Sequence, residues 1–261
     1  RDFHNLPILV TRNLLRTELN FELTRKAAQS AGIREVVCVA IDHVSKHTLT
    51  DTSKRYLLDM NDSECKNMMG YLPLIPGMPL VIKNNSATDK EKLVPFGICN
   101  GTKCTLRKVH LDPREPPVDM ARVGEPILLR YQPLCLIVYI EPPKSRPGKA
   151  PDPRKWTQLP GLGDGEFPIY PCKDWFKQQL DGATRKITRL QFPVIPGYSL
   201  TGYNAQGSTM DFGCVDLTKP TGPGVRNPAD VYVLLGRIKS LSGLVILRDF
   251  KYDVLLRKPD P

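Results

Sequence analysis

The chain of 261 residues contains no apolar run near the roughly 20 residues that a membrane-crossing helix requires. Its longest such run, residues 134–140, has the length of a strand, so no membrane partner is expected. It also lacks any CxxC pair. Structural zinc sites rely on such pairs, because one short loop must present two thiolates to a single tetrahedral ion. The seven cysteines, Cys38, Cys65, Cys99, Cys104, Cys135, Cys172 and Cys214, are odd in number and scattered. They read as reduced, mostly buried thiols of an intracellular protein. His43 and His47 have helical spacing but no glutamate between them, and read as surface or turn histidines rather than metal ligands. No GxxxxGK[ST] pattern occurs and no acidic strand-end motif for magnesium is evident, so the chain carries no phosphate cradle of that kind. No secretory or transit segment opens it, and its first residue is Arg1 rather than Met, which leads us to expect a fragment or a processed product.

What is present is a folding composition with a basic surplus. Hydrophobic residues make up 41% and charged residues 25%, which excludes a chain disordered throughout. The length fits one large domain or two modest ones. Lys and Arg number 37 against 27 Asp and Glu, a net charge of +10. Such a surplus favours a polyanion as partner, nucleic acid ahead of an anionic membrane, over the bland alternative of simple solubility.

Along the chain, LPILV at residues 6–10 reads as a buried strand. Thr11 and Asn13 then bracket a helix start. Leu14, Leu15, Leu19, Phe21, Leu23 and Ala27 recur at three- and four-residue steps, which predicts an amphipathic helix ending near Gly32. VVCVAI at residues 36–41 is a second buried strand, so the first forty residues read as one strand–helix–strand unit of a parallel α/β sheet. From residue 71, short strands are punctuated by Pro73, Pro76, Gly77, Pro79 and the Asn100-Gly101 turn, which suggests a small β-barrel or meander inserted into the α/β frame. Residues 141–174 hold eight prolines and four glycines, with Lys144, Arg146, Lys149, Arg154 and Lys155 among them. A stretch of that kind is expected to be an extended basic loop rather than core. Short buried runs then return at residues 214–217, 231–235 and 244–247.

Two local features suit phosphate chemistry. Residues 201–209, TGYNAQGST, are dense in small and hydrogen-bonding side chains: Gly207 permits close backbone approach, and Gln206, Ser208 and Thr209 can meet phosphate or ribose oxygens. Residues 231–237, VYVLLGR, place Arg237 at the end of an apolar segment, where a guanidinium can reach a phosphoryl group supplied by a neighbouring domain. Each pattern alone is also that of an ordinary turn or a helix-capping arginine. A third feature, residues 79–85 with Asn100-Gly101-Thr102, reads as a structural β pair.

In order and spacing these features resemble the later half of a superfamily-one DNA helicase of the RecD-like group, especially the helicases encoded by Helitron rolling-circle transposons. PILVTRNLLRTELN resembles the family's fourth motif, an apolar strand followed by a Thr-x-Asn turn and a helix. LPLIPGMPLVIKNN with ICNGTKCTL resembles the Pro-Gly-Met-Pro … Asn-Gly-Thr hairpin that opens the small barrel inserted in the second RecA-like domain. YSLTGYNAQGSTMDFGCVDL resembles the fifth motif and VYVLLGRIKSLSGLVIL the sixth. The resemblance touches nearly the whole chain at four points.

That resemblance implies an α/β fold: a RecA-like parallel sheet, the second motor domain, over residues 1–70 and 190–261, an inserted SH3-like β-barrel at 71–140, and the Pro/Gly-rich basic loop at 141–189. It implies that Arg237 stabilises charge on the γ-phosphate of ATP, and that Gln206 and Gly207 couple the nucleotide cleft to the DNA track. Thr201 and Thr209 would contact the strand or hold that loop, Tyr203 would stack on a base, Thr11 and Asn13 would touch the bound strand, and Arg12 would face nucleotide. The implied cofactors are ATP and Mg in the intact enzyme, with neither bound by this chain alone. The implied partners are single-stranded DNA and a missing N-terminal RecA-like domain carrying the phosphate loop. The implied location is intracellular, in the nucleus. Three departures stand against the pattern: Tyr203 and Asn204 replace the family's His and Lys, and Gly236 replaces the Ser before the motif-six arginine. They leave open a reading as a non-catalytic nucleic-acid-binding remnant of such a helicase, and a poorer one as an unrelated basic β-rich binding module.

Overall fold

The computed structural model describes residues 6–45, 47–83, 98–141, 159–202, 205, 209–218, 228–252 and 255. By internal contacts the chain divides into two compact units, residues 1–23 with 197–261, and residues 24–196.

The first unit is built on a four-stranded sheet made of β1 (Ile8–Val10), β13 (Ser199–Thr201), β14 (Gly213–Val215) and β15 (Leu244–Ile246), in the order β13-β1-β14-β15. Every pair is parallel, with Val10 opposite Thr201, Leu9 opposite Val215, and Val215 opposite Ile246. The inner strands β1 and β14 are largely buried, as the inner strands of a parallel sheet must be, while edge strand β15 leaves Ile246 exposed. In chain order β1 lies inside the sheet, β13 on one side of it, and β14 and β15 on the other. Helix α3 (Pro228–Leu235) connects β14 to β15 and buries Val231 and Leu234. The α/β character expected from the sequence is therefore present.

The expected strand–helix–strand unit of the first forty residues is not. Both edges of β1 are occupied, by β13 and β14, so no edge remains for β2 (Val36–Val39). β2 instead pairs antiparallel with β4 (Tyr71–Leu74) and parallel with β7 (Ile127–Leu128). The intervening helix α1 (Asn13–Ser30) is present and ends as predicted. Gly32, at φ +70°, closes it with the Ile33 N–H donating to Ala28 O and the Gly32 N–H to Gln29 O. Its buried stripe, however, is not the predicted one. Arg16, Asn20, Thr24 and Ala28, four residues apart, are the buried positions, while Leu14 is 58% exposed. The reason is polar. Asn20 donates from Nδ2 to Ser199 O (3.1 Å) and accepts from the Ser199 N–H (2.7 Å), so its amide stands in for the strand missing beside edge strand β13.

The second unit is β-rich. A five-stranded antiparallel sheet is made of β12 (Val194–Pro196), β5 (Pro79–Ile82), β6 (Lys103–His110), β8 (Cys135–Tyr139) and β9 (Glu166–Ile169), in that spatial order. The Asn100-Gly101 turn enters β6 as expected, the Thr102 N–H donating to Cys99 O. Among the described residues the edge strands β12 and β9 do not pair with each other, so the meander alternative describes this sheet. A second sheet is made of β10 (Cys172–Leu180), β11 (Ala183–Gln191) and β3 (Ile41–Val44), again in spatial order. Here the loop reading of residues 141–189 needs correction: residues 166–169 and 172–189 are strand, apart from the tight turn between β10 and β11. The cause is Asp181-Gly182, with φ +53° and +76°, a two-residue turn joining β10 to β11 in unbroken register from Leu180 opposite Ala183 to Cys172 opposite Gln191. The basic residues 144–155 of that stretch lie outside the described residues.

Beneath this sheet, α2 (Asp51–Asp59) is capped by the Thr50 side chain, which accepts from the Ser53 N–H. It buries Leu57 in a cluster with Val44, Leu49, Cys65, Phe176, Leu180 and Ile187. Arg189 is fully buried there. It makes a two-pronged ion pair with Asp42 (2.8 and 2.7 Å) and donates to Met68 O (3.0 Å) and Leu57 O (2.6 Å). These ties bind Asp42, Leu57 and Met68 to β11 within the second unit.

Candidate functional site

The carboxyl ends of β1 and β13 present the first group of expected site residues. Thr201 is the last residue of β13 and pairs with Val10, so Thr11 follows one step beyond that register. Thr201 is 8% exposed, and its carbonyl accepts from the Ala205 N–H at 2.9 Å. Asn13, exposed, opens α1, and its Oδ1 accepts from Arg16 Nη1 at 3.2 Å. Arg16 Nη2 donates to Thr17 Oγ1 at 3.3 Å. Arg16 is 2% exposed, a buried cation beneath the turn that the sequence reading passed over.

Between the ends of β1 and β14 the chain reverses its direction of travel across the sheet. In open parallel sheets ligands bind outside the carboxyl ends at such a point. Asp216, directly after β14, donates its N–H to Leu9 O (2.8 Å) and is 2% exposed. Its carboxylate accepts two hydrogen bonds from Arg248, at 3.1 and 2.8 Å, and one from the Thr218 N–H at 3.0 Å. Burial works to raise the Asp216 pKa, but the bonds from Arg248 and Thr218 outweigh it and hold the carboxyl below its ordinary value. Neither Asp216 nor Arg248 was among the expected site residues. No spacing in the sequence announces their pairing, because it depends on β14 and β15 being neighbours.

The second group forms where residues 201–211 meet residues 231–239. A Cβ placed on Gly202 would lie 3.2 Å from Leu234 Cδ2 and 3.5 Å from Val233 Cγ1. The Met210 N–H donates to Arg237 O (2.8 Å), and the Lys239 N–H donates to Met210 O (3.0 Å). Lys239 Nζ lies 2.6 Å from Asp211 Oδ1. A side chain at Gly243 would overlap the Asp211 carbonyl oxygen. Gly202 therefore lies against Val233 and Leu234, and Met210 and Asp211, just past the first segment, are tied to Arg237 and Lys239 at the end of the second. Thr209 is exposed beside this contact, and Arg237 is half-buried with its Nε donating to Val233 O at 3.0 Å. Tyr203, Asn204, Gln206 and Gly207 lie outside the described residues. A serine in place of Gly236 would bring its Cβ to 3.0 Å from Tyr232 O, a tight fit for the family's hydroxyl.

Among the described residues no group of three His, Cys, Asp or Glu side chains could hold a metal ion. Among the described residues no helix is long and apolar enough to cross a membrane.

No protein-family model matches the sequence, and no curated protein matches it. Solved structures do match. The Pif1 helicase from Candida albicans superposes with a TM-score of 0.53 at 16% identity, over 98% of this chain and 48% of that one. The Pif1 helicase from Bacteroides, in complex with ADP-AlF3 and single-stranded DNA, gives 0.52 at 14% identity, over 99% of this chain and 44% of that one. Bacteroides Pif1 bound to single-stranded DNA gives 0.50 at 14% identity, over 97% and 43%. The chain thus shares the fold of the matched portion of these proteins, and it spans less than half the length of each.

Proposed function

We propose that the chain is the C-terminal portion of an ATP-dependent superfamily-one DNA helicase of the RecD-like, Helitron type, one that moves along single-stranded DNA and unwinds duplex. Its parallel-sheet unit belongs to the second motor domain, and the five-stranded antiparallel meander stands where the family carries its inserted subdomain. In the intact enzyme a first motor domain, preceding this chain, supplies the phosphate loop. The observation that supports the reading is that Gly202 lies against Val233 and Leu234 while Met210 and Asp211 are tied to Arg237 and Lys239, so both ends of the glutamine-glycine segment sit beside the arginine segment. In the assembled enzyme Arg237 faces the γ-phosphate, and Gln206 and Gly207 sit between it and the strand held by Thr11, Asn13, Thr201, Tyr203 and Thr209. ATP with Mg supplies the energy there. An arginine in that role is worth about 10³–10⁵ in rate.

The 261-residue chain by itself has no phosphate cradle in its sequence. It should show no DNA-stimulated ATP hydrolysis, and turnover that depends on Arg237 would overturn the split-cleft reading. It should bind oligo-dT with an affinity that falls as salt rises. The second reading, a non-catalytic nucleic-acid-binding remnant, is favoured by Tyr203, Asn204 and Gly236. The reading frame upstream of Arg1 separates the two. A phosphate-loop domain there, joined to this chain, should give DNA-stimulated hydrolysis that Arg237→Ala abolishes. A frame without one supports the remnant.

A further inference from the structure

We propose that the outer face of the β10-β11-β3 sheet is a second platform for single-stranded DNA, on which Trp175 stacks a base and Lys173, Lys177 and Lys186 hold the phosphates. The choice of DNA as the strand rests on the helicase reading; the requirement for a stacked, anionic single strand comes from the face itself.

The register defines the face. Trp175 pairs with Thr188, Lys177 with Lys186, and Lys173 with Leu190, and Thr188 pairs onward with His43 and Leu190 with Ile41. Residues paired in this way point to the same side of a sheet. The opposite side carries Phe176, Ile187 and the buried Arg189–Asp42 pair, and it is packed. The outer side is open: Trp175 is 46% exposed, Ile41 51%, and the three lysines and His43 are exposed as well. Among the described residues of these three strands, no carboxylate stands on it. Asp174 belongs to the packed side by its pairing with Arg189, and Asp181 sits in the turn, where it meets His47 at 3.2 Å and Ser53 at 3.4 Å.

Two features point to an anionic occupant. Lys177 and Lys186 are direct cross-strand partners, and like charges in that position weaken a sheet. A phosphate between them turns that repulsion into attraction. Such local conflicts are expected at binding sites rather than on inert surfaces. The second feature is the indole. Lys186 Nζ lies 4.4 Å from the Trp175 ring centroid, a cation–π contact that is weak when exposed to solvent. Base–aromatic stacking is the stronger interaction. A base can therefore displace the ammonium from the ring and leave Lys186 free to meet a phosphate. An aromatic flanked by lysines spaced two residues apart along a strand alternates stacking and charge in the way a single strand alternates base and phosphate.

The test uses the 261-residue chain. In a Trp156→Phe background Trp175 is the sole tryptophan, since the sequence has two. Titration with a dT oligomer should quench its emission. Trp175→Ala should weaken oligo-dT binding about 5- to 150-fold, the equivalent of one lost stacked base, and Trp175→Phe should restore most of it. Changing Lys173, Lys177 and Lys186 together to Gln should flatten the slope of log affinity against log salt by about 2. Unchanged quenching, affinity and salt slope in correctly folded variants would overturn the platform, as would preferential binding of polyglutamate, which would mark an acidic protein partner. Tighter binding of an oligo-U RNA than of oligo-dT would overturn the choice of DNA. None of these outcomes touches the motor reading, whose own test is the Arg237-dependent hydrolysis of the assembled enzyme.

Discussion

Replacing Arg189 with methionine tests what holds the second unit together. The guanidinium is fully buried and makes four contacts: two to Asp42 at 2.7 and 2.8 Å, one to Met68 O and one to Leu57 O. Methionine of similar length leaves the Asp42 carboxylate, itself 4% exposed, without its counter-charge, and strips one hydrogen bond from each carbonyl. Breaking a buried pair by removing one partner typically costs about 3–5 kcal/mol, since the orphaned charge stays desolvated. Because the pair joins β3 to β11 and reaches the end of α2, the whole cost should fall on the second unit. Trp175, on the same hairpin, reports its unfolding in the Trp156→Phe background. Urea titration of Arg189→Met should lower the midpoint by the equivalent of about 3 kcal/mol or more at constant slope. The double variant Arg189→Met with Asp42→Leu should recover most of that loss, because the buried charge is gone. A single-variant cost below about 1 kcal/mol would refute the assignment of Arg189 as the tie between these elements.

Two further predictions concern the parallel-sheet unit. Asn20→Ala removes both partners of the Ser199 backbone, and each buried group left unsatisfied costs about 1–3 kcal/mol; hydrogen exchange at the Ser199 amide should accelerate sharply, and unchanged protection would show that the edge is covered some other way. The depressed Asp216 pKa makes a stability contribution that is present above the unfolded carboxylate pKa and is lost as pH falls through the lower folded value. Arg248→Ala should therefore destabilise the unit at neutral pH while narrowing the gap to wild type in strong acid, and a difference that stays constant down to about pH 2 would sink the linkage.

What the sequence disclosed was whatever depends on near neighbours. Strand β1, the Gly32 helix end, the Asn100-Gly101 turn and the apolar segment before Arg237 each follow from a few adjacent residues. The helix face did not, because α1 turns Arg16 and Asn20 inward to meet polar partners, and an apolar stripe sought by periodicity passes over them. Residues 166–189 were misread for a different reason. The abundance of proline and glycine before them coloured the whole segment, although Asp181-Gly182 between two β-rich runs is among the strongest short hairpin signals there are. Given that turn, the alternation in residues 172–180 and 183–191 follows at once, and with it the sorting of Trp175 and the lysines to one face.

Cross-strand register accounts for the remaining residues that sequence reasoning missed. Asp216 and Arg248 are far apart in sequence, and their ion pair exists because Val215 lies opposite Ile246. The Lys177–Lys186 confrontation likewise exists only because the turn at Asp181 sets one register rather than the next; a slip of one residue would send Trp175 to the packed side and Phe176 to the solvent. The burial of Phe176, Leu180 and Ile187 forbids that slip. The apolar inner face of the hairpin therefore decides which cations gather on its outer face. A single inner-face change that shifts the register should abolish the basic face without altering one of its lysines.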